Sequence, residues 1–369
     1  MLDFLQADRA LLADTDAQIL DLETQIAALE HSVSLLRAAR QPVQERLDSY
    51  KYPVLTLPNE IIAEIFLHFL PTYPEPPPLV GIYSPTCLAQ VCHKWREIAH
   101  RTPPLWRAID LTRPFEKPGV EEAMSLCLLW TERSGACPLS LRLSDSLEPL
   151  STYTDVIYRC ARCEHLALEL DTTQDLDVIQ DSFPSLKTLD MYISGLSSFP
   201  ANPVVTLQNL PLLRTVVLDD WQDLHVGLPW SQLTSLTLLS LRSEICVPIL
   251  QQASHLLHCE LEFGNHSMTA HDLDLELPRL ETLTFRPRGW TDQNFVRCLM
   301  APRLLRLQLP EHFLLLGNSE SLVIEPLVSF VSKSGCQLQE LNITNPCVPD
   351  SENVYRGAFP LIPAILVAR

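Results

Sequence analysis

Apolar residues change their period along this chain, and each change marks a different kind of element. In the first fifty residues they recur every seven. With Leu5 as heptad position a, Leu12, Ile19, Ile26 and Val33 also fall at a, and Asp8, Thr15, Leu22, Leu29 and Leu36 fall at d. The seam is interrupted early and clean from Ile19 to Leu36. β-Branched residues at a with leucine at d favour a parallel two-stranded coiled coil. A homodimer through residues 5–36 and one amphipathic helix lying on its own chain both satisfy the pattern. Pro42 brings no amide hydrogen, so it is expected to stop or kink the helix.

The period then shortens. In "LPNEIIAEIFLHFL" (57–70), Pro58 suits the first helical position and Glu60 favours the helix start. The apolar positions form two adjacent stripes, Ile61/Ile65/Phe69 and Ile62/Phe66/Leu70. A surface helix needs one core-facing stripe, so two stripes predict two separate burials. The stretch "PTYPEPPPLVGIYSP" is too rich in proline for helix or strand. "LAQVCHKWREIA" then predicts a helix with Leu88, Val91, Cys92, Trp95, Ile98 and Ala99 on one face. Pro103 and Pro104 end it, and "LWRAIDL" reads as a short strand. Without the loop, fewer than about fifty ordered residues remain, a marginal size for a self-contained core. The second stripe is expected to dock on another polypeptide.

These residues carry a resemblance. "LPNEIIAEIF", a variable loop, "LAQVCHKWREIA" and "PPLW" resemble, in that order, the anchors of the F-box: Leu-Pro-x-Glu-Ile, then Val-Cys-x-x-Trp-Arg, then Pro-x-Leu-Trp. The resemblance implies a three-helix unit that binds the Skp-type adaptor of cullin–RING ubiquitin ligases, with the rest of the chain selecting a substrate. It also implies that Leu57, Pro58, Ile61, Ile62 and Ile65 meet the adaptor, with Val91, Cys92 and Trp95 completing the patch. The long proline-rich loop and the preceding heptad segment are similar to those of a fungal F-box subfamily.

From residue 112 onward a third pattern repeats. Leu-x-x-Leu-x-Leu, with other apolar residues allowed, appears as "CEHLAL" (163–168), "LKTLDM" (186–191), "LRTVVL" (213–218), "LTSLTL" (233–238), "LHCEL" within 256–261, "LETLTF" (280–285), "LLRLQL" (304–309) and "LQELNI" (338–343). Spacings of 20 to 34 residues are largely those of leucine-rich repeats, although the usual asparagine or cysteine is mostly missing. Helical stretches at 121–135 and 324–335 both end in Ser-Gly, a left-handed cap signal. Strand followed by helix, repeated, predicts an open α/β solenoid with one strand-lined face. The position between the last two apolar residues of each repeat points to that face: Asp190, Val217, Thr237, Glu260, Thr284, Gln308 and Asn342.

Composition narrows the partners. The 369 residues carry a net charge of −18, from 27 basic and 45 acidic residues. That balance argues against nucleic acid and against anionic membranes. It keeps a leucine-rich chain in solution and favours basic partners. The eleven cysteines show no framework, and the acidic N-terminus lacks the basic region of a signal peptide, so a cytoplasmic or nuclear chain with reduced thiols is expected. Cys160-Ala-Arg-Cys163 is the only CxxC, and it lacks the second pair that a structural zinc site needs. His255, His258 and His266 come closest to a cluster, but the first two flank a repeat strand and read as surface or packing residues, and "DLDLELP" (272–278) reads as a strand with one solvated face. Walker A, G-x-S-x-G, H-E-x-x-H and Rossmann patterns are missing.

The expected fold class is therefore α/β: a long helix over 1–50, a small three-helix F-box over 54–111, and an irregular leucine-rich-repeat-like solenoid over 112–369. The expected function is a non-enzymatic, substrate-recruiting F-box subunit of a Skp–cullin–F-box ubiquitin ligase, without cofactor or metal. A coiled-coil and repeat scaffold with no ligase role is the alternative, and an enzyme on an unrecognised α/β fold is a third reading that a pocket of titratable groups would revive.

Overall fold

The structure is a computed structural model. It describes residues 2–49, 53–112, 119–145, 149–171, 179, 182–193, 204–207, 209–220, 225–264, 275–287, 293–314, 324–347 and 351–368. The chain divides into two compact units, residues 1–62 and 63–369, with the division falling inside one helix.

The first unit is dominated by α1 (Leu2–Ser49). Pro42 does not stop this helix, which continues to Ser49. One missing backbone donor removes one ladder bond, and the good helix formers on both sides, such as Ala38, Ala39, Gln44 and Glu45, keep the rest. Glutamine–aspartate pairs one turn apart add support: Gln18 donates to Asp14 at 3.2 Å and Gln25 to Asp21 at 2.8 Å. A 3₁₀ turn at Pro53–Thr56 leads to α2 (Asn59–Phe69), which crosses the division.

The second unit continues with α3 (Pro85–Val91), α4 (His93–His100), a 3₁₀ turn at Pro103–Trp106 and β1 (Ala108–Leu111). The single helix expected over 88–99 is therefore two. Cys92 is extended (φ −158°, ψ 170°) and caps α4, its Sγ accepting from the Trp95 amide at 3.5 Å. The break rotates Val91 away from Leu88, Ile98 and Ala99, which are buried while Val91 is exposed.

Beyond β1 helices and strands alternate at both ends, while β3 to β8 follow one another without an α-helix among the described residues. They are α5 (Val120–Arg133), β2 (Leu139–Ser144), α6 (Thr154–Arg159), β3 (Cys163–Leu170), β4 (Thr188–Ile193), β5 (Val204–Thr206), β6 (Thr215–Asp219), β7 (His225–Gly227) and β8 (Ser235–Leu241). There follow α7 (Ser243–Gln252), β9 (His258–Phe263), β10 (Leu275–Glu276), β11 (Thr282–Phe285), α8 (Gln293–Cys298) and β12 (Leu299–Met300). The last are β13 (Arg306–Pro310), α9 (Glu325–Ser334), β14 (Glu340–Thr344), α10 (Ser351–Ala358) and β15 (Ala364–Ala368). Among the described residues eleven strands form one parallel sheet in chain order, β1-β2-β3-β4-β6-β8-β9-β11-β13-β14-β15. The pairs β5–β7 and β10–β12 are small parallel additions.

All eight leucine patterns supply strands of this sheet. The leading leucine of a pattern sits two residues ahead of its strand and is buried, as at Leu186, Leu213, Leu233, Leu280 and Leu304. Around it the backbone repeats one motif. Thr234 and Ser235 donate to the Arg214 carbonyl, Leu257 and His258 to Thr234, Glu281 and Thr282 to Leu257, and Leu305 and Arg306 to Glu281. Each turn is thus templated by the one before it. The pattern did not reveal β2 or β15. "LSLRLS" lacks the leading leucine spacing, and "AILVA" is continuously apolar rather than alternating. Gly335 ends α9 in the left-handed region (φ 61°), and Gly135 has φ 56° just beyond α5, as the Ser-Gly signals predicted.

One polar group is sealed near the last strands. Glu311 is fully buried and accepts hydrogen bonds from the Tyr355 hydroxyl at 3.1 Å and from the Cys347 amide. Tyr355→Phe removes a donor without changing shape and is expected to lower unfolding free energy by about 1–3 kcal/mol. A urea midpoint unchanged by that substitution would show that the bond contributes nothing net.

Candidate functional site

Two surfaces collect the residues that the sequence singled out. The first starts on α2, whose opening turn is set by the Ile62 amide bonding the Pro58 carbonyl at 3.2 Å. The two stripes of this helix part company. Ile62 and Phe66 are each 1% exposed, whereas Ile61, Ile65 and Phe69 are 49%, 47% and 40% exposed. Ile62 is therefore core, and its side chain is not presented to a partner. One turn of helix separates 61 from 65 and 65 from 69, so the exposed trio forms one ridge.

Of the other residues predicted to meet an adaptor, Pro58 and Val91 are exposed, and Leu57, Cys92 and Trp95 are half-buried. Trp95 packs edge-on against Phe66 with ring centroids 5.0 Å apart, and its indole N–H has no hydrogen-bond partner among the described residues. Behind the surface, α3 is capped by Ser84, whose Oγ accepts from the Thr86 amide at 3.2 Å and donates to the Leu79 carbonyl at 2.8 Å. Arg96 ties α4 to α3 through the Ala89 carbonyl at 2.9 Å. The pattern singled out no exposed residue in the loop, yet Ile82 and Tyr83 add apolar area there, Tyr83 stacking on Phe69 at 6.4 Å.

The loop over 71–85 is anchored to the sheet. Tyr73 lies under the Arg107 guanidinium (4.0 Å to the ring centre) and edge-on to His165 (5.2 Å). Burial, then the nearby Glu164, pushes the Tyr73 phenol above its usual range. Glu75 pairs with Arg142 at 3.3 Å.

The second surface is a row across the sheet. Asp190, Val217, Thr237, Glu260, Thr284, Gln308 and Asn342 are consecutive register partners, so all seven lie on one line. The line extends through Ala167, Arg142 and Asp110 at one end and Leu366 at the other. The seven are half-exposed, while their neighbours along each strand are buried. Arg142, which the loop's Glu75 engages, belongs to this line, so the loop occupies its β2 end.

Charge along the row is uneven. The Arg286 guanidinium bonds Glu260 at 2.6 Å, with Glu262 and Asp219 adding to the field, and its pKa is raised, chiefly by that bond. Burial raises the Asp190 carboxyl, Arg142 opposes this and Glu75 adds to it. Asn342 donates to the Gln308 side chain at 3.1 Å. Glu262, Asp219 and Arg286, which sequence reading passed over, lie two residues past the row on their strands or in the next position on that face; the strand's period of two was the signal for them.

The remaining candidates scatter. Cys160 and Cys163 are buried, and burial pushes the Cys160 thiol up to about 11. Among the described residues no group of three or more His, Cys, Asp and Glu could hold a metal. His255 bonds the Ser231 carbonyl at 2.7 Å and His258 opens β9, while His266 and residues 272–274 lie outside the described residues. A groove of about 550 Å³ near the last strands is lined by Leu305, Val331, Cys336 and Phe359 among others, with no carboxylate or histidine. Among the described residues no helix is long and apolar enough to cross a membrane.

A family model described as F-box-like matches residues 54–112, from the turn before α2 to the end of β1. No curated protein matches the chain. The chain thus contains an F-box-like domain, and the exposed ridge of α2 lies inside it.

Buried thiols with raised pKa values are poor nucleophiles. Titration of the native protein with a thiol reagent near pH 8 is expected to label the exposed Cys347, leaving Cys127, Cys160, Cys163 and Cys259 unlabelled until denaturant is added. Rapid labelling of Cys160 or Cys163 in the native state would contradict their burial.

Proposed function

We propose that this protein is a substrate-recruiting subunit of a Skp–cullin–F-box ubiquitin ligase. The observation that carries the proposal is the exposed ridge of Ile61, Ile65 and Phe69 on a helix whose other stripe is already buried, inside an F-box-like domain. F-box domains are generally adaptor modules that bind Skp-type proteins, and through the adaptor this chain reaches a cullin. The F-box resemblance also assigns Leu57, Pro58, Val91, Cys92 and Trp95 to adaptor contact, whereas Ile62 is buried. The long proline-rich loop fits a fungal-type F-box.

In this proposal the sheet is a run of divergent leucine-rich repeats whose open face holds the target. The row from Asp190 to Asn342 is that face. Its carboxylates, together with a net charge of −18, favour a target segment rich in lysine and arginine. The chain needs no catalytic group for this role. Holding a target near a ubiquitin-charged enzyme raises its effective concentration, and the transfer chemistry belongs to that enzyme.

Capture of a purified Skp-type adaptor tests the reading. Ile61→Asp/Ile65→Asp places two charges in an apolar contact and is expected to weaken capture by about tenfold or more, which corresponds to at least ~1.4 kcal/mol. Both positions are exposed, so the fold is expected to persist, with unchanged thermal unfolding. Full adaptor capture by this variant would overturn the proposal. Mass spectrometry of partners captured by intact protein and by the variant then separates adaptor-dependent partners from those held by the sheet face.

A further inference from the structure

We infer that α1 forms one half of a two-stranded coiled coil with a second copy of this chain, the helices running parallel and in register. Every described side chain of α1 is exposed, including Ile19 at 54%, Ile26 at 55% and Leu29 at 66%. Propensity alone is a weak support for a helix, and most helical stability in proteins comes from packing an apolar face. The seam of α1 is thus a helix face in need of a cover.

Three features select a second copy as that cover. The first is the seam itself. Ile19, Ile26 and Val33 at a, with Leu22, Leu29 and Leu36 at d, match the side-chain shapes that two parallel strands pack best. The structure also lengthens the seam toward Leu12. Thr15, the polar residue at d, donates its hydroxyl to its own backbone at Leu11 and Leu12 (3.0 and 2.9 Å), so it enters a seam without an unsatisfied donor.

The second feature is the flanking charge, which also sets direction. In a parallel pair, position g of one helix faces position e of the other. Gln18 then faces Glu23, Gln25 faces Glu30, and Ser32 faces Arg37. These three charged groups each meet a neutral hydrogen-bonding side chain, while Asp16, one heptad earlier, faces Leu11. In an antiparallel pair e faces e, and laying the clean seam on itself brings Glu23 against Glu30, an acidic repulsion that the parallel pair avoids, although Asp16 then meets Arg37. The third feature is the absence of lysine from α1, together with its surplus of carboxylates, which disfavours an anionic lipid surface as the cover.

The dimer joins two chains at their N-terminal helices, with both helix C-termini at the same end. A target that carries two recognition segments then engages two sheet faces at once and is held more tightly than by one. This pairing is independent of adaptor docking, which uses residues outside α1.

Light scattering of the full-length chain at tens of micromolar tests the pairing. The expected mass is twice the 41.7 kDa of one chain. Ile26→Asp is expected to halve it, and Leu20→Asp, exposed but off the seam, to leave it unchanged. Thr15→Cys and Leu36→Cys, made separately, are each expected to give a disulfide-linked dimer under mild oxidation, above the background of the unsubstituted chain. A native mass of one chain, or a dimer that survives Ile26→Asp, overturns the pairing. Crosslinking only when Thr15→Cys and Leu36→Cys chains are mixed overturns the parallel arrangement. Tryptophan fluorescence and adaptor capture unchanged in Ile26→Asp show that the rest of the chain is intact, so failure of the pairing is distinguishable from failure of the ligase reading.

Discussion

Trp106 stands where the helices of the F-box-like domain end and the sheet begins. Its ring is fully buried, its indole N–H donates to the Ala99 carbonyl at the end of α4 (2.8 Å), and it meets Trp130 of α5 edge-on at 5.5 Å. The Arg133 guanidinium lies 4.7 Å over its face. Two residues later β1 pairs with β2 as the first rung of the large sheet. The residues matched as F-box-like therefore include a strand of the sheet that follows. Helix pair and sheet share one core at this point, and no linker separates them. If this joint loosened, the first strand would lose its cover and the ordered stacking after it would lose its template.

The same constraint explains what was readable beforehand. The two stripes of α2 were legible because a helix of that size cannot hide both, and the structure separates Ile62/Phe66 from Ile61/Ile65/Phe69 along that line. Which stripe was core was not legible, since both are aliphatic and aromatic in equal measure. The break at Cys92 was hidden for a related reason. The apolar spacing on either side of it fits one continuous helix, and only the backbone shows that a thiol takes over the capping of α4. At Pro42 the opposite happened: of the expected stop or kink, the stop does not occur, and the helix runs on to Ser49.

In the sheet, a leucine two residues ahead of a strand proved a better signal than the strand itself. That leucine is buried beside a turn which bonds to the equivalent turn of the previous strand, so its spacing is fixed by geometry. Strands entered differently, β2 and β15, left no such mark. The row of seven side chains was legible because a strand's period of two leaves no freedom once the buried positions are known. The charges around it were less so. Arg286, beside Glu260, Glu262 and Asp219, and Arg142, held by a loop from far away in sequence, depend on which strands are neighbours.

The straight register of that row gives the face a built-in ruler. Adjacent strands lie about 4.8 Å apart, while successive residues of an extended peptide advance about 3.3 Å. A peptide laid across the strands falls out of step with them and returns to step after about three residues and two strands. Because successive side chains of an extended peptide point to opposite faces, one that faces the sheet comes back into step only about every sixth residue and every fourth strand, so a stretch reaching from β4 to β14 would be sampled at about two positions, leaving the side chains between them free to vary.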